Sequence, residues 1–227
     1  MHILYKFATR SRPKKFKATV ENIISLAKHH YFQILVSGDT DDPTMHNSDM
    51  VDWMDNIEEL YYVFSESTNK INAINRDINV TNTSFGLHNW DILVNVSDDM
   101  VFIKDGFDLD IIEAFGDNMD QFIHFPDGHT DTRICSLSIM SRQYYNRFGY
   151  IYHPDYVSLW CDNEAMEVAQ QINRYKYVDK QIFEHRHPAW IGGPVDAHLA
   201  HTQKFERQDH RTYLKRKSLG FPNHSVY

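Results

Sequence analysis

An apolar run that stops at two adjacent carboxylates is the segment with the clearest chemistry. Residues 92–96 read Ile-Leu-Val-Asn-Val, and Ser97, Asp98 and Asp99 follow directly. Such a run predicts a buried strand, and ligands of open α/β sheets bind beyond the carboxyl ends of strands. Two adjacent carboxylates repel one another unless a cation or a proton joins them, as a hard divalent ion holding a diphosphate would. A solvated turn with an acidic helix start explains the same residues equally well.

The loop after the first predicted strand carries two arginines. Arg10 and Arg12 lie in Thr9–Pro13, just before a predicted helix N-terminus. Two guanidinium groups beside a helix N-terminus favour the binding of a phosphate group. Asp39 follows the second predicted strand and could accept hydrogen bonds from a base or ribose, although a turn rich in Asp and Pro is common. No glycine-rich G-x-G-x-x-G or Walker loop occurs, which argues against a Rossmann dehydrogenase and a P-loop enzyme.

Two later segments carry groups suited to proton transfer or metal binding. Asp162 and Glu164 lie at a predicted helix start, where negative charge is stabilising in any case. Either could instead act as a general base that takes a proton from an attacking hydroxyl. His185 and His187 point the same way on an extended segment, so either could join Asp99 at an ion or contact a phosphate. No C-x-x-C or H-E-x-x-H zinc spacing occurs.

Alternating strands and helices are predicted to position these residues in the first half of the chain. Strands are predicted at residues 3–8, 32–36, 61–64 and 90–96. Helices are predicted between them at 13–27, 50–60 and 71–78. This alternation predicts a parallel sheet with right-handed crossovers and helices on both faces.

The second half of the chain is less regular. Strands are predicted at 121–125, 133–140 and 180–183. Helices are predicted at 111–115, 142–148, 162–172 and in a polar tail at 196–219. No internal repeat or linker separates these elements, so one domain is expected.

Composition narrows the class of protein. The chain has 227 residues, 42% of them hydrophobic, and a formal net charge of -8. This is a packed globular composition, and the negative charge disfavours non-specific nucleic-acid binding over the whole surface. The basic stretch 207–217 fits a solvated helix face, with contact to an acidic acceptor as the alternative.

Sequence features also bear on cellular location. The first seven residues are too short and polar for a signal-peptide core, and no apolar run reaches membrane-spanning length. Cys135 and Cys161 are the two cysteines, too few for a disulfide scaffold. We therefore expect a cytoplasmic protein without a membrane span.

Taken together, these segments resemble a glycosyltransferase of the GT-A fold, most similar to the family-2-like enzymes. The resemblance covers most of residues 1–190 and rests on Thr9–Pro13 (T-R-x-R-P), Ser37–Asp39 (the base-binding aspartate), Asn69–Asn75 (G-K…A-x-N), Ser97–Asp99 (D-x-D), Trp160–Glu164 (the later acidic motif) and Phe183–Pro188 (the histidine segment). Ser97 replaces the first aspartate of D-x-D. Metal binding would then depend on Asp99, with Asp98 contacting ribose or sugar hydroxyls.

The resemblance implies an α/β, Rossmann-like fold of GT-A type, in which helices flank a central, mostly parallel sheet. A single domain over residues 1–227 is expected. Within it, residues 1–100 would form the nucleotide-sugar-binding half, residues 101–190 the acceptor half and residues 191–227 a helical tail.

The resemblance also implies an activity, a metal-dependent and inverting sugar transfer. The donor would be a nucleotide diphosphate sugar, most readily a UDP-sugar, and the acceptor a hydroxyl group. The implied donor contacts are Thr9, Arg10, Arg12, Asp39, Lys70, Asn75 and Asp98. Asp99, with His185 or His187, would hold Mn²⁺ or Mg²⁺. Asp162 would be the general base, with Glu164 as its substitute.

The acceptor and two rival functions stay open at this point. A glycan precursor and a hydroxymethylated DNA base, as in phage DNA modification, are both compatible with the sequence. A sugar nucleotidyltransferase has a related sheet but normally a glycine-rich first loop, which is absent here. A non-catalytic carbohydrate- or nucleic-acid-binding module is the other alternative.

Overall fold

The computed structural model describes residues 1–78, 89–188, 192 and 197–222. In this part of the chain the strands are β1 (Ile3–Ala8), β2 (Phe32–Asp39), β3 (Leu60–Ser65), β4 (Ile92–Val96), β5 (Met100–Phe102), β6 (Phe122–His124), β7 (Ile139–Ser141), β8 (Tyr175–Tyr177) and β9 (Phe183–His185). The helices are α1 (Pro13–Leu26), α2 (Ser48–Asp55), α3 (Lys70–Asn75), α4 (Phe107–Phe115), α5 (Arg142–Tyr145), α6 (Cys161–Gln171), α7 (Ala197–Gln203) and α8 (Glu206–Ser218).

A seven-stranded sheet forms the centre of the fold, in the order β3-β2-β1-β4-β7-β6-β8. Strands β1 to β4 pair in parallel, β7 runs antiparallel to β4 and β6, and β8 is parallel to β6. This confirms the predicted α/β class with a mostly parallel sheet. The carboxyl ends of β1, β2 and β4 meet at one edge, which we call the carboxyl edge of the sheet.

Helices cover both faces of the sheet because alternate residues of each strand point to opposite sides. In β1, Ile3, Tyr5 and Phe7 join the core formed with α1, α2 and α4. Leu4 joins the core formed with α3, α5, α6 and α8. Lys6 is fully buried on this second face, where its Nζ donates to Ser37 Oγ and burial lowers its pKa to about 7.

The structure corrects several predicted boundaries. Strand β2 continues through Asp39 because β3 runs beside it, and Gly38 is needed there since a Cβ would lie 2.6 Å from the Phe64 ring. Helix α2 ends at Asp55, α3 ends at Asn75 and α5 ends at Tyr145, each earlier than predicted. Of the predicted strand at 133–140, only the end is extended, as part of β7.

A small second sheet was not predicted. Strands β5 and β9 pair antiparallel, with Met100 opposite His185. The strand predicted at 180–183 is therefore displaced toward the histidines, and β5 and β8 are new. Each of these strands has three residues, too few to show a period of two in the sequence. No helix within the described ranges combines the length and apolar character needed to cross a membrane.

Candidate active site at the carboxyl edge of the sheet

The turn after β4 brings Asp98 to the arginine loop that follows β1. Asp98 Oδ1 accepts a hydrogen bond from Arg12 Nη1 at 2.9 Å, and both side chains are largely buried. Burial raises the pKa of Asp98, and the Arg12 guanidinium counteracts part of this rise. The two predicted donor-site residues therefore lie together and form a hydrogen-bonded ion pair.

Asp99 faces the histidine segment because β5 and β9 are paired. Its Oδ1 lies 3.4 Å from His185 Nε2, and its carbonyl oxygen accepts from Arg186 N at 2.7 Å. Ser97 Oγ donates to the same carboxylate. Burial alone would raise the pKa of Asp99, but the hydrogen bonds from His185 and Ser97 hold it well below its usual range. Ser97 thus holds the Asp99 carboxylate by a hydrogen bond.

A third carboxylate, Asp127, lies at the site and was not predicted from the sequence. Its Oδ2 lies 3.8 Å from His185 Nδ1, and the side chain accepts from the backbone of His129 and Thr130 and from Ser136 Oγ. Burial lowers the pKa of His185, but Asp127 and Asp99 outweigh it and raise that pKa to about 9. The imidazole therefore carries a proton at neutral pH and balances both carboxylates.

The signal for Asp127 was present in the sequence. The residue lies three positions after the end of β6 at His124, much as Asp98 lies two positions after the end of β4 at Val96. Its burial is complete, with 1% of the residue exposed. Its role could have been inferred only from the pairing of β5 with β9, which brings His185 beside it.

The loop after β2 places Asp39 beside two arginines. Arg10 Nη1 donates to Asp39 Oδ2 at 3.0 Å, and both terminal nitrogens of Arg10 reach Asp41 at 2.5 and 3.0 Å. Arg76, just after α3, donates to the Gly38 carbonyl at 2.6 Å and lies 3.8 Å from Asp39 Oδ1. Arg10 is thus already bound by carboxylates, and no sequence pattern pointed to Arg76.

Lys70 and Asp162 lie near Asp99 and His185 at the same edge. Lys70 begins α3 and is exposed, and its charge lowers the pKa of both Asp99 and Asp162. Asp162 is half-buried in the first turn of α6, where its Oδ1 accepts from Asn163 N at 2.9 Å. Burial dominates and raises the pKa of Asp162, which favours a group that can take up a proton.

His187 follows His185 on the same segment. The two rings lie 5.6 Å apart between centroids, and His187 is half-buried. Burial lowers the pKa of His187, which is the direction that favours a neutral imidazole. His185, rather than His187, is the histidine held directly against Asp99.

Two predicted site residues have other partners. Asn75 Oδ1 accepts from Ile151 N and Tyr152 N, and its Nδ2 donates to Tyr152 O at 2.6 Å. Glu164 is buried, and both its oxygens accept from the Arg216 guanidinium at 2.8 Å. These bonds do not support a donor contact for Asn75 or a proton-accepting role for Glu164, because their polar atoms are already bound inside the protein.

Three buried polar atoms at this edge lack a hydrogen-bond partner. They are Thr9 Oγ1, Asp39 Oδ1 and His185 Nδ1. Asp39 Oδ1 faces Arg76 at 3.8 Å and His185 Nδ1 faces Asp127 at 3.8 Å, whereas Thr9 Oγ1 has capacity for a water or ligand partner. Across the described residues, no three His, Cys, Asp or Glu side chains gather closely enough to hold a metal ion on their own.

The fold is found in solved glycosyltransferases. A mannosyltransferase from Pyrobaculum calidifontis, solved with GDP-Man and Mn²⁺, matches 99% of this chain with a TM-score of 0.69 and 12% identity. Glucosyl-3-phosphoglycerate synthase from Mycobacterium tuberculosis, solved with Mn²⁺, UDP and phosphoglyceric acid, matches 98% with a TM-score of 0.62 and 13% identity. TarS 1-349 from S. aureus matches 83% with a TM-score of 0.60 and 12% identity.

These similarities assign the fold, which is the GT-A fold of glycosyltransferases. The chain covers 65% of the mannosyltransferase, 61% of TarS 1-349 and 80% of the synthase. It therefore spans less than two thirds of the length of the first two. No protein-family model and no curated protein matches the sequence.

Proposed function

We propose that this chain is a metal-dependent glycosyltransferase. It would move a sugar from a nucleotide diphosphate sugar, with UDP-sugars the first choice, to an acceptor hydroxyl. The observation that carries the proposal is the gathering of Asp99, His185 and Asp162 at one edge of the sheet, from three separate segments. The solved neighbours described with GDP-Man and with UDP support a nucleotide-linked donor.

The residues present fit a hard divalent ion. Asp99 offers a carboxylate oxygen and His185 an imidazole nitrogen, and Asp127 lies beside the other ring nitrogen, where a carboxylate orients a metal-binding histidine. An ion on this pair would compete with the proton on His185. Since the protein offers so few ligands, diphosphate oxygens would have to complete the shell, as is common for Mg²⁺. When bound, Mn²⁺ or Mg²⁺ would neutralise charge on the departing diphosphate.

The nucleoside would lie along the ends of β1 and β2. Thr9 Oγ1 is a buried polar atom that makes no hydrogen bond there, and Asp39 Oδ1 accepts none although it lies 3.8 Å from Arg76. Arg10 and Arg76 hold the Asp39 loop, and Arg12 holds Asp98. The arginines would act mainly by fixing these carboxylates for ribose or sugar hydroxyls, whereas Lys70 remains exposed beside Asp99 and could approach a phosphate.

Asp162 would act as the general base. It takes the proton of the acceptor hydroxyl while the oxygen bonds to the anomeric carbon and the bond from that carbon to the diphosphate breaks. One base and a direct displacement give inversion at the anomeric carbon. The acceptor would be a glycan or a hydroxymethylated DNA base, and positioning would contribute most of the rate.

Release of nucleoside diphosphate tests the proposal. The full chain is incubated with UDP-glucose, UDP-galactose, UDP-N-acetylglucosamine or GDP-mannose, with Mn²⁺, Mg²⁺ or EDTA, and with glycan or hydroxymethylated DNA acceptors. We expect UDP or GDP release that EDTA stops and that Asp99→Asn removes. Asp117→Asn, an exposed carboxylate away from the site, is the matched control. Pyrophosphate release from a nucleoside triphosphate would favour a nucleotidyltransferase instead, and no turnover with any donor would favour a binding module.

A further inference from the structure

Helix α8 carries a fully buried carboxylate that binds a loop elsewhere in the fold. Asp209 has no exposed surface, and its Oδ1 accepts from Val157 N at 3.0 Å. Its Oδ2 accepts from Ser158 N and Leu159 N, both at 2.8 Å. One side chain near the C-terminal end of the sequence thus binds three consecutive backbone N–H groups of a loop, which we call the 157–159 loop.

The 157–159 loop leads directly to the proposed base. Trp160 follows with a φ of 64°, a left-handed conformation that costs free energy in a residue other than glycine. Its ring stacks on His210 of α8, with centroids 4.3 Å apart, and Asp162 lies two residues further on. Helix α8 therefore supports both sides of a strained turn whose shape decides where the Asp162 carboxylate points.

The same loop also touches the helix that carries Lys70. Ile71 N donates to the Val157 carbonyl at 3.4 Å, and Ile71 is the neighbour of Lys70. A shift of the 157–159 loop would therefore move both Lys70 and Asp162. No other contact of α8 combines these effects among the residues described.

Three other side chains of α8 hydrogen-bond to glutamates of α6. Tyr213 Oη and Lys217 Nζ both donate to Glu167, and Arg216 binds Glu164. These bonds hold the helix in place without touching the 157–159 loop. The Tyr213 hydroxyl provides a control, because its bonds stabilise the same docking. The Tyr213 ring, which packs against Trp160 with centroids 5.2 Å apart, is kept when the residue is changed to phenylalanine.

We propose that Asp209 is a positioning residue for sugar transfer: through the 157–159 loop it fixes the turn that orients Asp162 toward the acceptor hydroxyl. The proposal rests on the proposed function, since it assigns a helper to the base of that reaction. Asp209 itself touches no substrate, because its carboxylate is buried and bound to backbone N–H groups.

The test compares Asp209→Asn with Tyr213→Phe in the full chain. The amide of Asn offers one oxygen in place of two, so at least one loop N–H loses its acceptor. We expect kcat for Mn²⁺-dependent UDP or GDP release to fall about 10- to 100-fold, with an unchanged KM for the donor. Amide exchange measured by mass spectrometry is expected to speed up over residues 157–160. Tyr213→Phe removes only the hydroxyl, with its bonds to Glu167 and Lys217, and is expected to keep both kcat and the slow exchange of that loop.

The outcomes separate this proposal from the proposed function. An active wild type with an Asp209→Asn variant at wild-type kcat overturns the positioning role alone, as does an equal loss of kcat in Tyr213→Phe. A wild type that releases nucleoside diphosphate from no donor overturns the proposed function and the positioning role with it. If Asp209→Asn does not fold, Asp209→Glu keeps the charge but shifts the carboxylate, and the same split between kcat and KM is expected.

Discussion

The Nε2 atom of His185 lies 3.4 Å from Oδ1 of Asp99, across the antiparallel pair formed by β5 and β9. This pairing joins two distant segments of the chain, because Asp99 follows strand β4 and His185 comes late in the sequence. It also brings in Asp127, at 3.8 Å from the other ring nitrogen. The small second sheet is thus the element that assembles the metal-binding groups we propose.

Replacing Asp99 is expected to remove metal-dependent turnover. Asp99→Asn keeps the shape of the side chain but loses the charge that a divalent ion requires, so we expect a loss of about 100-fold or more in rate. The variant is also expected to lose the rise in melting temperature that Mn²⁺ together with UDP gives the wild type. Thermal unfolding with and without these ligands checks this independently of turnover. Wild-type stabilisation by Mn²⁺ and UDP in Asp99→Asn would contradict the assignment.

Asp127 is expected to act on the metal through His185. Asp127→Asn leaves a weaker partner beside Nδ1, and loss of such a carboxylate typically costs about 10- to 100-fold in metal affinity or activity. The Mn²⁺ concentration for half-maximal rate should therefore rise, while the donor KM measured at saturating Mn²⁺ stays near its wild-type value. Ser136→Ala, which removes one hydrogen bond to Asp127 and leaves the carboxylate, serves as the control. An unchanged Mn²⁺ requirement in Asp127→Asn would separate this carboxylate from the metal.

The first half of the fold could be predicted from the sequence because each strand and helix there is long enough to show its period. Strand β1 and helix α1 begin where the pattern and Pro13 place them. The end of the apolar run at Val96 then predicted that Asp98 and Asp99 lie at the carboxyl edge of the sheet. Three-residue strands carry no such period, so the pairing of β5 with β9 and the role of Asp127 were not accessible.

The hydrogen-bond partners of the candidate site residues also could not be predicted from the sequence. Asp162 and Glu164 cannot be told apart by their place in the acidic motif. In the structure Glu164 is bonded to Arg216, whereas Asp162 lies near Lys70. The difference comes from the position of α8, which is distant in sequence. Asn75 matched its motif equally well, yet its amide binds the backbone at 151–152. Packing between segments that are distant in sequence decides such roles, and the spacing of residues within one motif does not reveal that packing.

The contrast between Asp162 and Glu164 is open to a direct measurement. Asp162→Asn is expected to lower kcat by about 100-fold or more, because the amide cannot take the acceptor proton. Glu164→Gln removes the buried charged partner of Arg216, which keeps only the exposed Asp155 at 3.4 Å, and is expected to cost about 3 kcal/mol of stability. Its kcat, measured where the variant is folded, should stay within a few-fold of wild type. Full activity in Asp162→Asn, or a collapse of kcat confined to Glu164→Gln, would exchange the two roles.

Acid stability is expected to depend on His124. This residue is fully buried with Nδ1 bonded to Tyr175 Oη at 2.7 Å, and burial lowers its pKa from 6.5 to about 4. In the unfolded chain the imidazole takes up a proton near pH 6.5, so its contribution to stability is complete above that pH and is lost as the pH falls through about 4. The resulting loss in the free energy of unfolding over this pH range is about 3 kcal/mol. Urea unfolding from pH 7 to 4 should give a shallower loss for His124→Gln than for wild type, whereas the exposed His30→Asn should follow wild type. Parallel curves for wild type and His124→Gln would rule out a buried neutral imidazole as the source of the slope.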